Sequence, residues 1–427
     1  MTVEQKVGIL SDGAKYDVSC SSSGSARAAK SGSLGSAAVG GICHSFTSDG
    51  RCVSLLKILM TNNCAYDCLY CVNRRSNDIP RASLAPREIA ELTYGMYRRN
   101  YIEGLFLSSA IEHSPDRTME LLCETVRILR EELGFGGYIH LKGIPHADPA
   151  IISRAAALAD RMSVNIELPT ENGLKLLAPA KTKDSILKPL SQLAEIYAEG
   201  QLDRYNPNRA LPAGTTTQLI IGATPDSDAT IIRLSEGLYR RFGLKRVYYS
   251  AYMPLGTSPL LPAVRAPLLR EHRLYQADWL LRFYGFSADE ILPENTNLNT
   301  ELDPKSDWAV RNPHLFPIEV NTAPYEMLLR TPGIGPRGAW RIREARAHAR
   351  LSYEDLKRMR VVLKRARHFI TVGGKFYGHT PELTLDTLRA LDAPPPAQLS
   401  MFDTPTFLPL LTAAPEEIAA SVITGEM

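Results

Sequence analysis

Short apolar runs alternate with amphipathic segments through the first two thirds of this chain. That alternation constrains its fold more than any other feature. The runs VSLLKILMT (53–61), GLFLSSA (104–110), YIHLKGI (138–144), MSVNIEL (162–168), TTQLIIGA (216–223) and RVYYSAYM (246–253) have β-rich composition. Segments of helical period separate most of them, namely PREIAELTYGMYRRN, SPDRTMELLCETVRILREELG, DPAIISRAAALADR and DATIIRLSEGLYRRFG. The link between the fourth and fifth runs is long enough for two helices. Strands joined through helices give βαβ crossovers and a parallel sheet, and buried parallel strands read as near-continuous apolar runs. Periodicity leaves an open partial barrel and a doubly wound sheet as alternatives.

Composition sets the layout around this α/β domain, expected over 53–290. Residues 1–52 read as a Ser/Gly-rich extension, with SCSSSGSARAAKSGSLGSAAVGG at 19–41. That stretch is a surface loop, or a lid whose Arg27 and Lys30 reach phosphate. A Pro/Asn-rich connector spans 291–320, a compact helical module 321–377, and a Pro-rich tail 378–427. No apolar run approaches the roughly 18 residues of a membrane span. MTVEQKVGILSDGAKYD has no apolar signal core. The expectation is a soluble, cytoplasmic protein whose 7 cysteines serve metal or redox chemistry rather than disulfides.

CAYDCLYC (64–71) places Cys64, Cys68 and Cys71 directly after the first strand, at the strand end where α/β folds carry their chemistry. Thiolates are soft ligands suited to iron–sulfur clusters or zinc. Three of them leave such a site one ligand short. Cys123, in MELLCETV, reads as a small buried hydrophobe instead. Cys20, Cys43 and Cys52, with His44 beside Cys43, are candidates for a second metal or cluster site, for a hydrogen-atom donor, or for unrelated reduced thiols.

The C-x3-C-x2-C spacing, with Tyr70 before the last cysteine, resembles the signature of the radical S-adenosylmethionine (radical SAM) enzymes. The resemblance implies a [4Fe–4S] cluster on Cys64, Cys68 and Cys71. Its open iron would bind the amino and carboxylate groups of SAM, and an electron would release a 5′-deoxyadenosyl radical. It also implies a partial TIM-type (β/α)6 barrel. Ser108 and Ser109 in LSSAIE stand where the family has a glycine-rich turn meeting the SAM amino group. Asn165 and Glu167 in NIE offer oxygens to ribose hydroxyls, with a structural ion pair as the alternative role of Glu167. Ile221 and Gly222 in QLIIGATPDSD, and Tyr252 in YYSAYMPLGTSP, fall in segments that resemble those with which the family flanks adenine.

NTAPYEMLLRTPGIGPRGAWRIREAR (321–346) resembles a helix-hairpin-helix DNA-binding motif, so the resemblance implies an α/β barrel followed by a small all-α module. Gly333, Ile334 and Gly335 would present hairpin amides to a phosphate. LSYEDLKRMRVVLKRARHFI (351–370) reads as a second, degenerate hairpin in which Met359 and Arg360 replace glycines. Residues 321–377 hold 13 Lys/Arg against 4 Asp/Glu in a chain of net charge only +3. That asymmetry localises nucleic-acid contact here, with Arg337, Arg341, Lys364 and Arg365 as candidate phosphate ligands. QLSMF (398–402) resembles the peptide by which bacterial repair proteins dock on the DNA sliding clamp, with Gln398 hydrogen-bonding and Leu399, Met401 and Phe402 filling an apolar groove.

The whole arrangement resembles the DNA modification/repair radical SAM proteins associated with uracil-DNA glycosylase-like partners. KYDVSCSSSGS, GGICHS, CAYDCLYCVNRRSNDIP and NTAPYEMLLRTPGIG carry the resemblance. It implies radical chemistry on a base or sugar of DNA, with a flavodoxin- or ferredoxin-type reductant. The alternatives are a radical SAM enzyme acting on tRNA or rRNA, and a non-catalytic DNA-binding adaptor with a structural cluster.

Overall fold

The computed structural model describes residues 1–14, 42–46, 52–202, 209–254 and 258–378. The chain divides into two compact units. One comprises Met1–Asp226 with Gly237–Ala266, and the other Ser227–Glu236 with Pro267–Met427.

The first unit is built on a seven-stranded sheet in the order β1-β2-β3-β4-β5-β6-β7. The strands are β1 (Ile42–Phe46), β2 (Cys52–Leu59), β3 (Gly104–Ser108), β4 (Tyr138–Lys142), β5 (Arg161–Ser163), β6 (Thr215–Ile221) and β7 (Arg246–Ala251). β2 to β7 are parallel throughout, each beside its predecessor in sequence. This is the half-barrel alternative, not the doubly wound one, whose strand order reverses. The crossovers use α2 (Pro86–Arg98), α3 (Pro115–Arg127), α4 (Pro149–Leu158), the pair α5 (Glu171–Leu177) and α6 (Lys183–Leu202), and α7 (Asp228–Phe242). α3 runs on into a π-helical turn over Ile128–Glu132. The long fourth link holds two helices, as its length predicts.

Two elements of the unit lie where the sequence reads as extension. α1 (Val3–Ala14) buries Leu10, Ser11 and Ala14. β1 pairs antiparallel with β2, with Cys43 opposite Leu55 and Phe46 opposite Cys52. Cys20, Arg27 and Lys30 lie outside the described residues, and of Cys43, His44 and Cys52 only the backbone is described.

The strands are less uniformly apolar inside than their runs predict. Register aligns Lys57, Phe106, His140 and Arg161 in one row across β2 to β5. Lys57, His140 and Lys142 are buried. The Lys57 and Lys142 ammonium groups lie 5.8 and 5.9 Å from the Phe106 ring centroid. Burial, reinforced by the charges of Arg161, Lys142 and Lys57, holds the His140 pKa well below its ordinary value. One sheet face is therefore aliphatic and the other is polar and aromatic, as the period-2 geometry of a strand allows.

The longer segment of the second unit runs from Pro267. It contains α8 (Leu268–Phe283), α9 (Ala288–Ile291), α10 (Pro304–Arg311), α11 (Tyr325–Arg330), α12 (Pro336–Arg346), α13 (Tyr353–Arg358) and α14 (Leu363–Ala366). α10 occupies the connector expected over 291–320. Asp303 caps it by accepting from the Lys305 and Ser306 amides, and Pro304 stands at its first position. The expected all-α module is corrected by a small sheet of β8 (Ile318–Glu319), β9 (Ile370–Val372) and β10 (Lys375–Phe376). β-branched Ile370, Thr371 and Val372 favour that strand, and Gly373 and Gly374, at φ 64° and 80°, turn it back.

Candidate functional site: a three-cysteine loop over the half-barrel mouth

The loop after β2 carries Cys64, Cys68 and Cys71, and backbone hydrogen bonds fix its course. The Ala65 amide donates to Ile111 O at 2.7 Å, Leu69 to Leu177 O at 2.8 Å, Arg75 to Tyr66 O at 2.9 Å and Cys71 to Cys68 O at 2.9 Å. The loop is thereby tied to the end of β3 and to α5. Its closing element is Arg81, which no motif in the sequence marks. The Arg81 guanidinium donates to the carbonyls of Asn62 (2.6 Å), Asn73 (2.9 Å), Arg74 (2.7 Å) and Asn77 (2.8 Å). Five donors in a rigid fork suit Arg to such a clamp. Asn62 completes the closure through Pro80 O and the Ala82 amide, both at 2.8 Å.

All three cysteines line one cavity at the carboxyl ends of the strands. The same cavity is lined by Tyr70, Ser108, Ser109, Asn165, Glu167 and Tyr252 from the predicted set. Ile221 and Gly222 do not line it, whereas Ile220 does. Successive strand residues point to opposite faces, so an offset of one sends Ile221 to the other side. Cys123 is buried on α3 and is no part of the cavity. Sequence reading also missed Gly143, Ile144 and Pro145 after β4, Lys181, and Gly13 of α1. A Cβ on Gly13 would stand 2.9 Å from Leu59 Cδ1, so a larger residue there requires that side chain to shift.

Glu167 is in the structural ion pair weighed for it, and it also lines the cavity. Its Oε1 accepts from Lys181 Nζ at 2.6 Å, and its carboxylate faces the cavity. The residue sits at φ 68°, a strained value for a non-glycine, and backbone bonds to Gln218 O (3.1 Å) and from Ile220 N (2.7 Å) hold it there. Burial alone would lower the Lys181 pKa. Burial is the largest single influence, but the Glu167 charge and hydrogen bond together with the Cys68 and Cys71 charges outweigh it and raise the pKa, so the ammonium stays charged. Two buried polar atoms beside the cysteines have no hydrogen-bond partner, Asn165 Oδ1 and the Tyr70 hydroxyl. Tyr70 lies near Cys68 without completing a hydrogen bond to it. Burial, then the Glu167 charge, raises its pKa well above the ordinary value.

Burial also raises the thiol of Cys68 and pushes that of Cys71 up to about 12, while the Lys181 charge favours both thiolates. No group of three or more His, Cys, Asp or Glu side chains among the described residues is gathered closely enough for a single metal ion. The donor set of three soft thiols, a nearby fixed cation and orphaned acceptors in one cavity fits a cluster with an accompanying polar ligand.

In the second unit, the turn between α11 and α12 is held from inside. Gly333 adopts φ 82°, and a Cβ there would meet Val362 O at 2.6 Å. The Val362 amide donates back to Gly333 O at 3.0 Å, joining this turn to the one between α13 and α14. Arg360 takes φ 59° in that second turn, where a glycine is expected. The Ile334 amide donates to Thr331 O, and its carbonyl accepts from buried Lys305 at 2.6 Å. Arg365 pairs with Asp303 at 3.4 Å. These engagements narrow the outward-facing candidates to Gly335, Arg337, Arg341 and Lys364. Residues Gln398, Leu399, Met401 and Phe402 lie outside the described residues.

No family model matches the chain, and no curated protein matches it. Among solved structures it overlays on HydG, a maturase of the [FeFe]-hydrogenase, at a TM-score of 0.38 and 12% identity over 51% of this chain and 46% of that one. For the FeFe-hydrogenase maturase HydG from Carboxydothermus hydrogenoformans the values are 0.38, 16%, 52% and 49%. For a radical SAM methyltransferase from Sphaerobacter thermophilus they are 0.37, 19%, 56% and 70%. The chain spans about half the length of the two maturases. Overlap this slight carries no argument about activity. Among the described residues, no helix is long and apolar enough to cross a membrane.

Proposed function

We propose that the chain is a radical SAM enzyme that acts on DNA. The observation that carries the reading is the clamped C-x3-C-x2-C loop, whose three cysteines share one cavity with Asn165, Glu167 and Lys181 at the carboxyl ends of parallel strands. Cys64, Cys68 and Cys71 would hold a [4Fe–4S] cluster with one iron left for SAM. When bound, that pair supplies a 5′-deoxyadenosyl radical after one-electron reduction.

The chain's own residues do the rest. Lys181 keeps a positive charge beside two of the thiolates and orients Glu167 through the 2.6 Å bond. Glu167 and the orphaned Asn165 Oδ1 accept from ribose hydroxyls. Ser108 and Ser109 meet the amino end of SAM. Tyr252 and Ile220 give adenine an apolar wall, and Leu59 and Ile144 help exclude water. A dry cavity strengthens each of these polar contacts.

The DNA part of the reading rests on the second unit. We read α11–α12 and α13–α14 as paired helix-hairpin-helix motifs with Arg337, Arg341 and Lys364 exposed. A base within a duplex is out of reach of a barrel mouth, so the target is flipped or single-stranded. Docking on a sliding clamp through QLSMF, a uracil-DNA glycosylase-like partner, and a flavodoxin or ferredoxin donor belong to the same reading. Anaerobic reconstitution tests its core. Wild-type protein should take up about four irons and four sulfides per chain with the absorbance of a cluster, and Cys68→Ala should not. Zinc uptake in place of iron and sulfide would defeat the reading. Tighter binding to RNA than to DNA of the same sequence would redirect it to RNA modification.

A further inference from the structure

Trp340 stands out in the second unit because it is 52% exposed. Trp308 is buried, with its ring edge-on to Phe286 and Phe316. Trp279 lies tilted against Phe283 with ring centroids 4.5 Å apart, and Arg282 lies over its ring. Among the described residues the Trp340 indole has no ring partner, no cation over it and no hydrogen bond. An unpartnered indole on a surface leaves a large flat face open to another ring.

Its neighbours indicate the occupant's chemistry. Arg337 lies one helical turn before Trp340 and Arg343 one turn after, both exposed. Arg341 is exposed beside it, with one nitrogen on Met359 O at 3.0 Å. Lys357, Arg358, Arg360 and Lys364 are exposed on the adjoining hairpin. Two of the carboxylates nearby are engaged, while Glu354 is exposed. Glu344 accepts from Arg343, and Asp355 accepts from the Ser352 amide and hydroxyl. A flat π-face within a cationic field matches an unstacked base with its phosphates, a polyanion that carries its own π-faces. Trp340 lies five positions after Gly335, which caps the start of α12. At about 1.5 Å per residue that is about 7.5 Å along the axis, the scale of a step from phosphate to base.

We infer that Trp340 is a stacking platform for an unpaired base, with Arg337 and Arg343 on the flanking phosphates, so that this face binds single-stranded DNA in preference to duplex. The inference rests on the nucleic-acid reading of the second unit and narrows its substrate class. In a duplex both faces of a base are covered by its neighbours, so the indole gains a partner only where the stack is broken.

Anisotropy titrations of the reconstituted full-length protein test it. The probes are a fluorescein-labelled mixed-sequence DNA strand and the same strand in a blunt duplex. Trp340→Ala should weaken single-strand binding about tenfold while changing duplex binding less than about twofold. Trp340→Phe should recover most of the loss, and both variants should melt as wild type because the side chain is exposed. Unchanged single-strand binding by Trp340→Ala overturns the inference, and so does an equal loss on both probes. In either case wild-type binding still supports the broader nucleic-acid reading. Wild-type protein that binds neither probe removes both.

Discussion

Arg81 is the residue on which the cysteine loop depends, and its replacement has a consequence that can be worked out. Its guanidinium closes four backbone carbonyls between Asn62 and Asn77. A hydrogen bond to a charged group is worth about 1.5–3 kcal/mol net, but on a half-buried loop water re-solvates most freed carbonyls. We therefore assign Arg81→Ala a cost of about 2–4 kcal/mol to the closed loop rather than the full sum. At about 1.4 kcal/mol per decade, that raises the open population roughly 30- to 700-fold. Hydrogen exchange reads this directly. The Leu69, Cys71 and Arg75 amides, which donate within or from the loop, should lose more than about tenfold in protection. The amides of β3 and β4 should exchange as in wild type. Arg81→Lys should fall close to Arg81→Ala, because a single ammonium with three donors cannot span four carbonyls. Iron–sulfide loading should fall in both variants. Wild-type protection in Arg81→Ala would refute the reasoning and show that the loop is fixed by its own backbone bonds.

Three further expectations follow from the geometry. Lys181→Met leaves the Glu167 carboxylate buried without its 2.6 Å partner. It should lower both the loading and the midpoint potential of the reconstituted cluster, since a removed positive charge no longer favours the reduced form. Lys181→Arg should restore the potential, and equal potentials in all three proteins would refute the role. Burial lowers the pKa of Lys305 to about 7, although Asp303 opposes the shift. Above about pH 7 the folded chain sheds this proton while the unfolded chain keeps it up to about pH 10, so stability rises with pH across that window. Lys305→Met should flatten the rise in the urea midpoint of the second unit, and a flat wild-type profile would contradict the burial argument. Arg337→Ala and Arg341→Ala should each weaken duplex and single-strand binding alike and reduce the salt slope by about one. An unchanged slope would take these residues off the phosphate path.

Much of the half-barrel was legible because parallel strands buried on both faces leave contiguous apolar runs, and all six were found in order. The edge strand ICHSF and the helix Val3–Ala14 were not. β1 is a short antiparallel edge embedded in small polar residues, and α1 has few strongly apolar positions. The polar interior face was legible in principle, since Lys57 in LLKIL and His140 and Lys142 in YIHLK alternate with aliphatic neighbours. The cysteine loop announced itself through spacing, which local chemistry demands. Arg81 and Lys181 did not, because each acts across a tertiary contact that no spacing encodes. The offset between Ile220 and Ile221 has the same origin, since which strand face meets the cavity is set by the sheet and not by the segment. In the second unit Gly333 was legible as a turn. Its close approach to Val362, which ties the two turns together, was not.

The central claim is that the cavity beneath CAYDCLYC holds a cluster with SAM. The most direct measurement is 5′-deoxyadenosine release from SAM by reduced, anaerobically reconstituted protein, beside Cys64→Ala and with single-stranded and duplex DNA added. The account expects release by wild type, none by Cys64→Ala, and a higher rate with DNA. No release from protein whose cluster is intact and reducible would contradict it, leaving a cluster that serves structure alone.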